Sequence, residues 1–309
     1  MKALVLGHGS IGKRHARVLS EQLGLEVEVV TRASECAYPH YSTLIEAGHL
    51  ERFDYFVIAT ETNRHYQNLF DLNAAVTDRI ILVEKPLFFR KSDFTNVRNR
   101  IFVGYNLRFH PALAKAHELL QGKKVFAVNV QVGEYLPWWR PGTDYRICYS
   151  AKRNEGGGVV FDISHEIDYI QWLFGAMEKL VSLTERLSNL EIDSDDYSSV
   201  IGWTERKIAV NLSMDYLSML PVRSMLARAS DASVLLDLEH GLLTSCDENR
   251  IKQTWDFSVL ERDYTYREMH RAVLERQGGE ACTLQQGLEV MRTIQNIYAS
   301  NLKDEWHEA

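Results

Sequence analysis

Cysteine is scarce in this sequence and scattered: Cys36, Cys148, Cys246 and Cys282 are the four among 309 residues. None lies in a CxxC or CxxH pattern, which argues against a structural zinc site and against a disulfide framework. No metal is expected, and the scarcity fits a reduced, cytoplasmic setting. Positive charge is also short. The 35 Lys and Arg face 42 Asp and Glu, for a formal net charge of −7. That balance lacks the electrostatic footprint of a nucleic-acid binder or of a protein held on an anionic membrane. It still admits a small anionic ligand, because a local group of Arg and Lys needs no global excess. Long apolar runs are missing too, and none approaches the roughly 20 residues that cross a bilayer. The opening "MKALVLGHGSIG" has a positive charge and a short apolar run, as a leader peptide would. It leads straight into glycines, however, and reads as a strand. Internal repeats and low-complexity segments are absent as well.

What remains is ordinary globular material, 45% apolar and 25% charged, long enough for two domains each with its own core. Short apolar stretches alternate with helical ones through the first hundred residues, which predicts an α/β fold on a parallel, doubly wound sheet. The first of them ends in Gly7-x-Gly9-x-x-Gly12, between a strand and a helix. In that context Gly7 permits a tight turn, Gly9 lets backbone approach a pyrophosphate, and Gly12 lets helix and strand pack closely. Ser10, Ile11 and Gly12 would then open a helix whose free amides suit phosphate.

A second strand over Leu25, Val27, Val29 and Val30 ends at Thr31 and Arg32. An NAD-binding domain usually places an acid here, hydrogen-bonded to the ribose 2′-hydroxyl. The acid is missing and a guanidinium stands beside the gap, so NADP is preferred over NAD. Arg32 stacked on adenine would tolerate either cofactor. A further strand, Tyr55 to Ala59, is followed by Thr60, Thr62 and His65; His65 could face a ligand or lie on the helix surface. Then "ILVEKPLF" ends a buried strand with Glu84 and Lys85 set against Pro86, which cannot continue a ladder. Lys85 thus stands at the carboxyl end of a strand, where open α/β sheets bind ligands.

The Gly7–Gly12 turn, "ATETNRH" (59–65), "EKP" (84–86), "GYNLRFHPAL" (104–113) and "GGGVVFDISHEIDYIQWLFG" (156–175) occur in that order. Together they resemble the Gfo/Idh/MocA family of NAD(P)-dependent oxidoreductases. The resemblance implies an N-terminal Rossmann domain (1–106) and a C-terminal α/β domain (107–309) with a large, mainly antiparallel sheet. That sheet commonly forms the family's oligomer interface, so a homodimer or homotetramer is expected. Stretches such as "KVFAVNVQVGEY", "KIAVNLSMDYL" and "ASVLLDLEHGLLTS" have the apolar spacing of such strands. The resemblance also implies that Lys85 lies beside the nicotinamide and the reacting carbon, where it would steady charge on the substrate oxygen. Glu84 is counted with Lys85 among the cofactor-binding residues.

In "VVFDISHEIDYIQWLFG", read as one helix, Asp162, His165 and Asp168 recur at spacing three and share a face. A histidine flanked by carboxylates suits general acid–base work. Family members use a histidine here on the reacting hydroxyl, and His165 matches it. Many members carry an Asp four residues earlier, whereas Phe161 occupies that position and Asp162 follows. The loop "GEYLPWWRPGTDYRICYSAKRNEGGG" crowds aromatic and basic residues, Tyr135, Trp139 and Arg140 among them, as if to stack on a sugar and hold an anionic group. With Arg108, Asp162 and His165 they make up the expected substrate site. The function expected is interconversion of hydroxyl and carbonyl on a sugar or nucleotide-sugar-like substrate. Reduction of a non-sugar molecule, or NAD(P) sensing without catalysis, are the alternatives.

Overall fold

The computed structural model describes residues 1–90, 93–275 and 278–301. Two compact units form, Met1–Phe109 with Glu261–Met291, and His110–Leu260 with the chain from Arg292 onward. The expected single boundary near residue 106 therefore needs correction, because residues 261–291 return to the first unit. Packing explains the return: Met269, Val273 and Ala281 lie in one buried cluster with Val5, Val29, Tyr55 and Leu82. The stretch 302–309 of the expected second domain lies outside the described residues.

The chain runs β1 (Lys2–Leu6), α1 (Ser10–Arg17), β2 (Glu26–Val30), β3 (His40–Tyr41), α2 (Leu44–Ala47), β4 (Tyr55–Ile58), α3 (Thr62–Ala75), β5 (Ile80–Val83) and β6 (Arg100–Val103). These strands lie parallel in the order β6-β5-β4-β1-β2-β3. Leu4, Val5, Phe56, Val57, Ile81 and Leu82 are wholly buried. Unbroken apolar runs of this kind belong to strands covered on both faces, hence parallel ones. The order reverses between β1 and β4, the switch point beside which Rossmann sheets bind nucleotides. Gly7, Thr31, Ala59-Thr60 and Glu84-Lys85 follow β1, β2, β4 and β5, so the expected cofactor residues gather along one sheet edge.

The second unit holds α4 (Pro111–Leu120), β7 (Val125–Gly133), α5 (Val159–Asp162), α6 (Ser164–Phe174), β8 (Met177–Glu185), β9 (Tyr197–Thr204), β10 (Ala209–Asp215), β11 (Val222–Ala229), β12 (Ala232–Asp237), β13 (Leu242–Asp247) and β14 (Lys252–Asp256). Its eight strands order as β14-β13-β12-β11-β7-β10-β9-β8, antiparallel except where β7 meets β10. Val128, Val130, Val132, Val210, Leu212, Met214, Met225 and Ala227 alternate inward and are buried. A half-covered antiparallel sheet requires that alternation. Helix α4 lies against β12 and β13, and α5 against β9 and β10. The chain then continues as α7 (Tyr264–Glu275), β15 (Cys282–Thr283) and α8 (Leu284–Ala299), with β15 antiparallel to β6 at the edge of the first sheet. Among the described residues no helix is long and apolar enough to cross a membrane.

Candidate functional site

The three glycines of the first turn do different work. Gly7 sits at φ +93°, and a Cβ there would stand 2.5 Å from the Ala59 carbonyl oxygen. A Cβ on Gly12 would stand 2.1 Å from the Gly7 carbonyl oxygen. These two are glycine because backbone crosses backbone. Nothing lies within 4 Å of the point a Gly9 Cβ would take. That open space, at the start of α1, is a cradle a diphosphate can enter. Ser10 is exposed and Ile11 half-buried beside it; beyond β2, Thr31 accepts the Ala33 N–H at 3.2 Å while Arg32 is exposed. Thr60 and Thr62 are half-buried, and the Thr60 hydroxyl accepts from Asn68 at 2.9 Å.

His65 neither faces a ligand nor lies on the surface. It is 1% exposed, with Nδ1 3.1 Å from the Pro86 carbonyl oxygen and Nε2 3.0 Å from that of Thr60. It ties the loop after β4 to the loop after β5, and burial pushes its pKa down. Glu84 also points inward. Its Oε1 lies 2.8 Å from His15 Nε2, and Oε2 accepts the Lys85 backbone N–H at 3.1 Å. The ammonium-bearing Lys85 is half-buried, and its peptide bond to Pro86 is cis. Arg108 differs from expectation as well. It is 3% exposed and donates to Gln286 Oε1 at 3.0 Å and to the Glu280 carbonyl at 3.4 Å. Its fork secures the 280–286 segment instead of facing open space.

In the second unit, Gly156–Gly158 set the start of α5. A Cβ on Gly157 would meet the Tyr149 carbonyl oxygen at 2.2 Å, and one on Gly158 would meet Asp195 Oδ1 at 2.6 Å. Asp195 accepts the Val160 N–H at 3.3 Å and the Tyr298 hydroxyl at 2.9 Å. The stretch expected as one helix is broken at Ile163, whose φ −97° and ψ 30° end α5 before α6 begins. Asp162 therefore does not share a helical face with His165 and Asp168. His165 alone from 162 to 170 is not buried. Its neighbour Glu166, 0% exposed, accepts Arg223 Nε at 2.8 Å and ties α6 to β11. The cluster expected around Asp162 is built by other means. Tyr216, at the end of β10, donates its hydroxyl to Asp162 Oδ2 at 2.7 Å. The Trp139 ring meets Tyr216 edge-on at 5.0 Å, and its Nε1–H donates to the Glu134 carbonyl at 3.2 Å. The Arg140 guanidinium lies 5.0 Å from the centre of the Tyr149 ring. Burial and the neighbouring Asp162 push the Tyr149 hydroxyl well above its usual pKa, so it stays protonated. Tyr135 stacks edge-on with Trp138 at 5.2 Å. Of the other basic residues in the loop, Arg146 pairs with Asp144 and Glu191, and Lys152 with Glu155. Arg140 counts Asp162 among its charged neighbours. Neither Tyr149 nor Tyr216 stood out in the sequence, since it is the β10 pairing that brings Tyr216 to Asp162.

The family model described as GFO/IDH/MocA C-terminal domain matches residues 114–224. Over those residues the chain is similar to the C-terminal domain of the Gfo/Idh/MocA family. An uncharacterized oxidoreductase of Synechocystis sp. is 23% identical over 213 residues, covering 65% of this chain and 56% of that relative. The match thus spans little more than half the relative's length. Among solved structures, UDP-N-acetylglucosamine 3-dehydrogenase GnnA from Acidithiobacillus ferrooxidans superposes with a TM-score of 0.78 at 16% identity, over 97% of both chains. The WlbA dehydrogenase from Bordetella pertussis, in complex with NADH and UDP-GlcNAcA, gives 0.76 at 18% identity, over 97% of this chain and 95% of its own. At these identities the likeness is one of fold, and it covers nearly the whole of this chain.

Proposed function

We propose that the protein is an NAD(P)-dependent oxidoreductase interconverting a hydroxyl and a carbonyl on a sugar or nucleotide-sugar substrate. The observation that carries the reading is the second-unit cluster: Arg140, Tyr149, Trp139 and Tyr216 gathered at Asp162, with His165 accessible three residues on. Aromatic faces suit a pyranose or a base, and a guanidinium suits phosphate or carboxylate. The two nucleotide-sugar enzymes among the structural neighbours agree with that chemistry. The open cradle at Gly9 fits a dinucleotide, which the Gly7–Gly12 turn, Thr31, Arg32, Thr60 and Thr62 would hold. When bound, the nicotinamide supplies the hydride exchange. Lys85 would hydrogen-bond the substrate oxygen and steady its charge, His165 would take or give the hydroxyl proton, and Asp162 would orient the substrate. Arg32, exposed past β2, favours a 2′-phosphate, so NADPH is the preferred form. Assembly would use the outward face of the second sheet, where Val181, Ile201, Trp203 and Leu235 stand 41–58% exposed.

The test is titration of the purified protein with NADPH and NADH by nicotinamide fluorescence, followed by turnover with UDP-N-acetylglucosamine and simpler sugars. NADPH should bind tighter than NADH. Lys85→Met and His165→Asn should each lower kcat by roughly 10²–10⁴-fold, with cofactor binding kept in His165→Asn. Failure to bind either nucleotide, in protein freed of retained cofactor, would overturn the reading.

A further inference from the structure

The first unit contains a chain of buried polar groups that the proposed reaction does not use directly. Tyr55 and His270 are 0% exposed, as is His15, and Glu84 is 7% exposed. The Tyr55 hydroxyl lies 2.8 Å from His270 Nδ1, His270 Nε2 lies 2.8 Å from His15 Nδ1, and His15 Nε2 lies 2.8 Å from Glu84 Oε1. Four elements contribute one group each: β4, α7, α1 and the end of β5.

Proton counting fixes the direction of this chain. A neutral imidazole has one donor and one acceptor. If Tyr55 donates to His270 Nδ1, then His270 Nε2–H donates to His15 Nδ1, and His15 Nε2–H donates to the Glu84 carboxylate. Every contact then has one proton. In the reverse direction a bare His15 Nε2 would face a carboxylate oxygen with no proton between them. Burial, together with the neighbouring His15, holds His270 well below its usual pKa, and burial keeps the Tyr55 proton in place. The chain ends inside the sheet at Tyr55, so it delivers no proton to solvent. What it does is fix a carboxylate.

That carboxylate has a second task. Glu84 Oε2 accepts the backbone N–H of Lys85 at 3.1 Å. Gly104 stands against the same side chain, a Cβ there falling 2.8 Å from Oε1. One oxygen is thus held by His15 and the other holds Lys85. We propose that His15 and His270 are positioning residues for Lys85, acting through Glu84 to aim the segment that carries it. The inference rests on the catalytic role assigned to Lys85 above, but the geometry it invokes is measurable without a substrate.

The test uses His270→Leu, which removes the donor to His15, and His270→Gln, whose amide still offers a donor and an acceptor. Selective 15N-lysine labelling reports the Lys85 amide, assigned by its loss in Lys85→Arg. In His270→Leu this amide should shift and exchange with solvent about tenfold or more faster, as a weakened local bond does. His270→Gln should restore it. With any substrate turned over by the wild type, His270→Leu should lower kcat roughly 10–100-fold at nearly unchanged KM, as slight misplacement of a reacting group does. An unmoved Lys85 amide in His270→Leu overturns the inference. So does an equal disturbance in both variants that merely follows their melting temperatures. A wild type that binds neither NADPH nor NADH would instead sink the proposed function, leaving the amide measurement to decide the positioning claim.

Discussion

His110 shows how one side chain records its surroundings. It opens α4, where Nδ1 accepts the Ala112 N–H at 3.2 Å, a bond only an unprotonated ring nitrogen can make. Burial, and then the nearby Arg223, lower its pKa from 6.5 to about 4. The sign follows directly. Between about pH 4 and 6.5 the unfolded chain takes up a proton that the folded chain refuses, so the stabilisation present above pH 6.5 is lost as pH falls toward 4. At about 1.4 kcal/mol per unit, and allowing for its partial exposure, the loss is about 2 kcal/mol. His65 and His270, lowered mainly by burial, add to it in the same direction. His110→Asn keeps a helix-capping oxygen and cannot titrate. Urea unfolding at pH 7.5 and pH 5 should therefore show a smaller acid loss in the variant, and an equal loss would refute the assignment.

Among elements, the glycine-rich connections separate into two kinds. Gly157 is needed by the protein's own backbone, with Tyr149 and Ser150 carbonyl oxygens at 2.2 and 2.6 Å from its would-be Cβ. Gly9 has open space there and stands at φ −70°, a conformation any residue adopts. Gly157→Ala should destabilise by roughly 1–3 kcal/mol, as overpacking against backbone does, and displace the 149–152 loop. Gly9→Ala should melt with the wild type while losing affinity for NADPH and NADH. Thermal melts paired with fluorescence titration check both; a Gly9→Ala protein that binds normally would remove the cradle. These differences also mark what could be read from residues alone. Strand-ending motifs such as GxGxxG and EKP were legible because each encodes a local backbone event. The break at Ile163 was not, since "VVFDISHEIDY" keeps helical spacing across it and Gly158 and Asp195 set the start of α5 from outside. Tyr216 and His270 were invisible for the same reason: their partners lie 54 and 255 residues away. Strands β8, β11 and β14 carry charged residues among their apolar ones, which blurs the alternation.

For the whole molecule, the outward face of the second sheet is the feature that bears on assembly. Val181 pairs with Ile201, Trp203 lies one step along the same face, and Leu235 is its apolar counterpart across the sheet. Exposed apolar groups toward both ends of one sheet face, with Asn211 and Asn129 between them, are a surface two copies can bury between them. Ile201→Lys with Trp203→Glu should convert an oligomer to monomer in light scattering, with the monomer still folded. A wild type already monomeric at micromolar concentration would sink the proposal. The same scale exposes how late the first unit is finished. Strand β15, the packing residues Met269 and Val273, and the His270 ring all follow His110–Leu260 of the second unit in the sequence. A ribosome releasing this chain emits β1 through β6 first, and the strand that covers the edge of that sheet, β15 at Cys282–Thr283, comes only long after β6 ends at Val103. Throughout that interval His15 lacks the donor at its Nδ1, and the apolar floor under β4 stays open. Vectorial synthesis, which usually lets an N-terminal domain close early, here leaves the first unit waiting on α7 and β15.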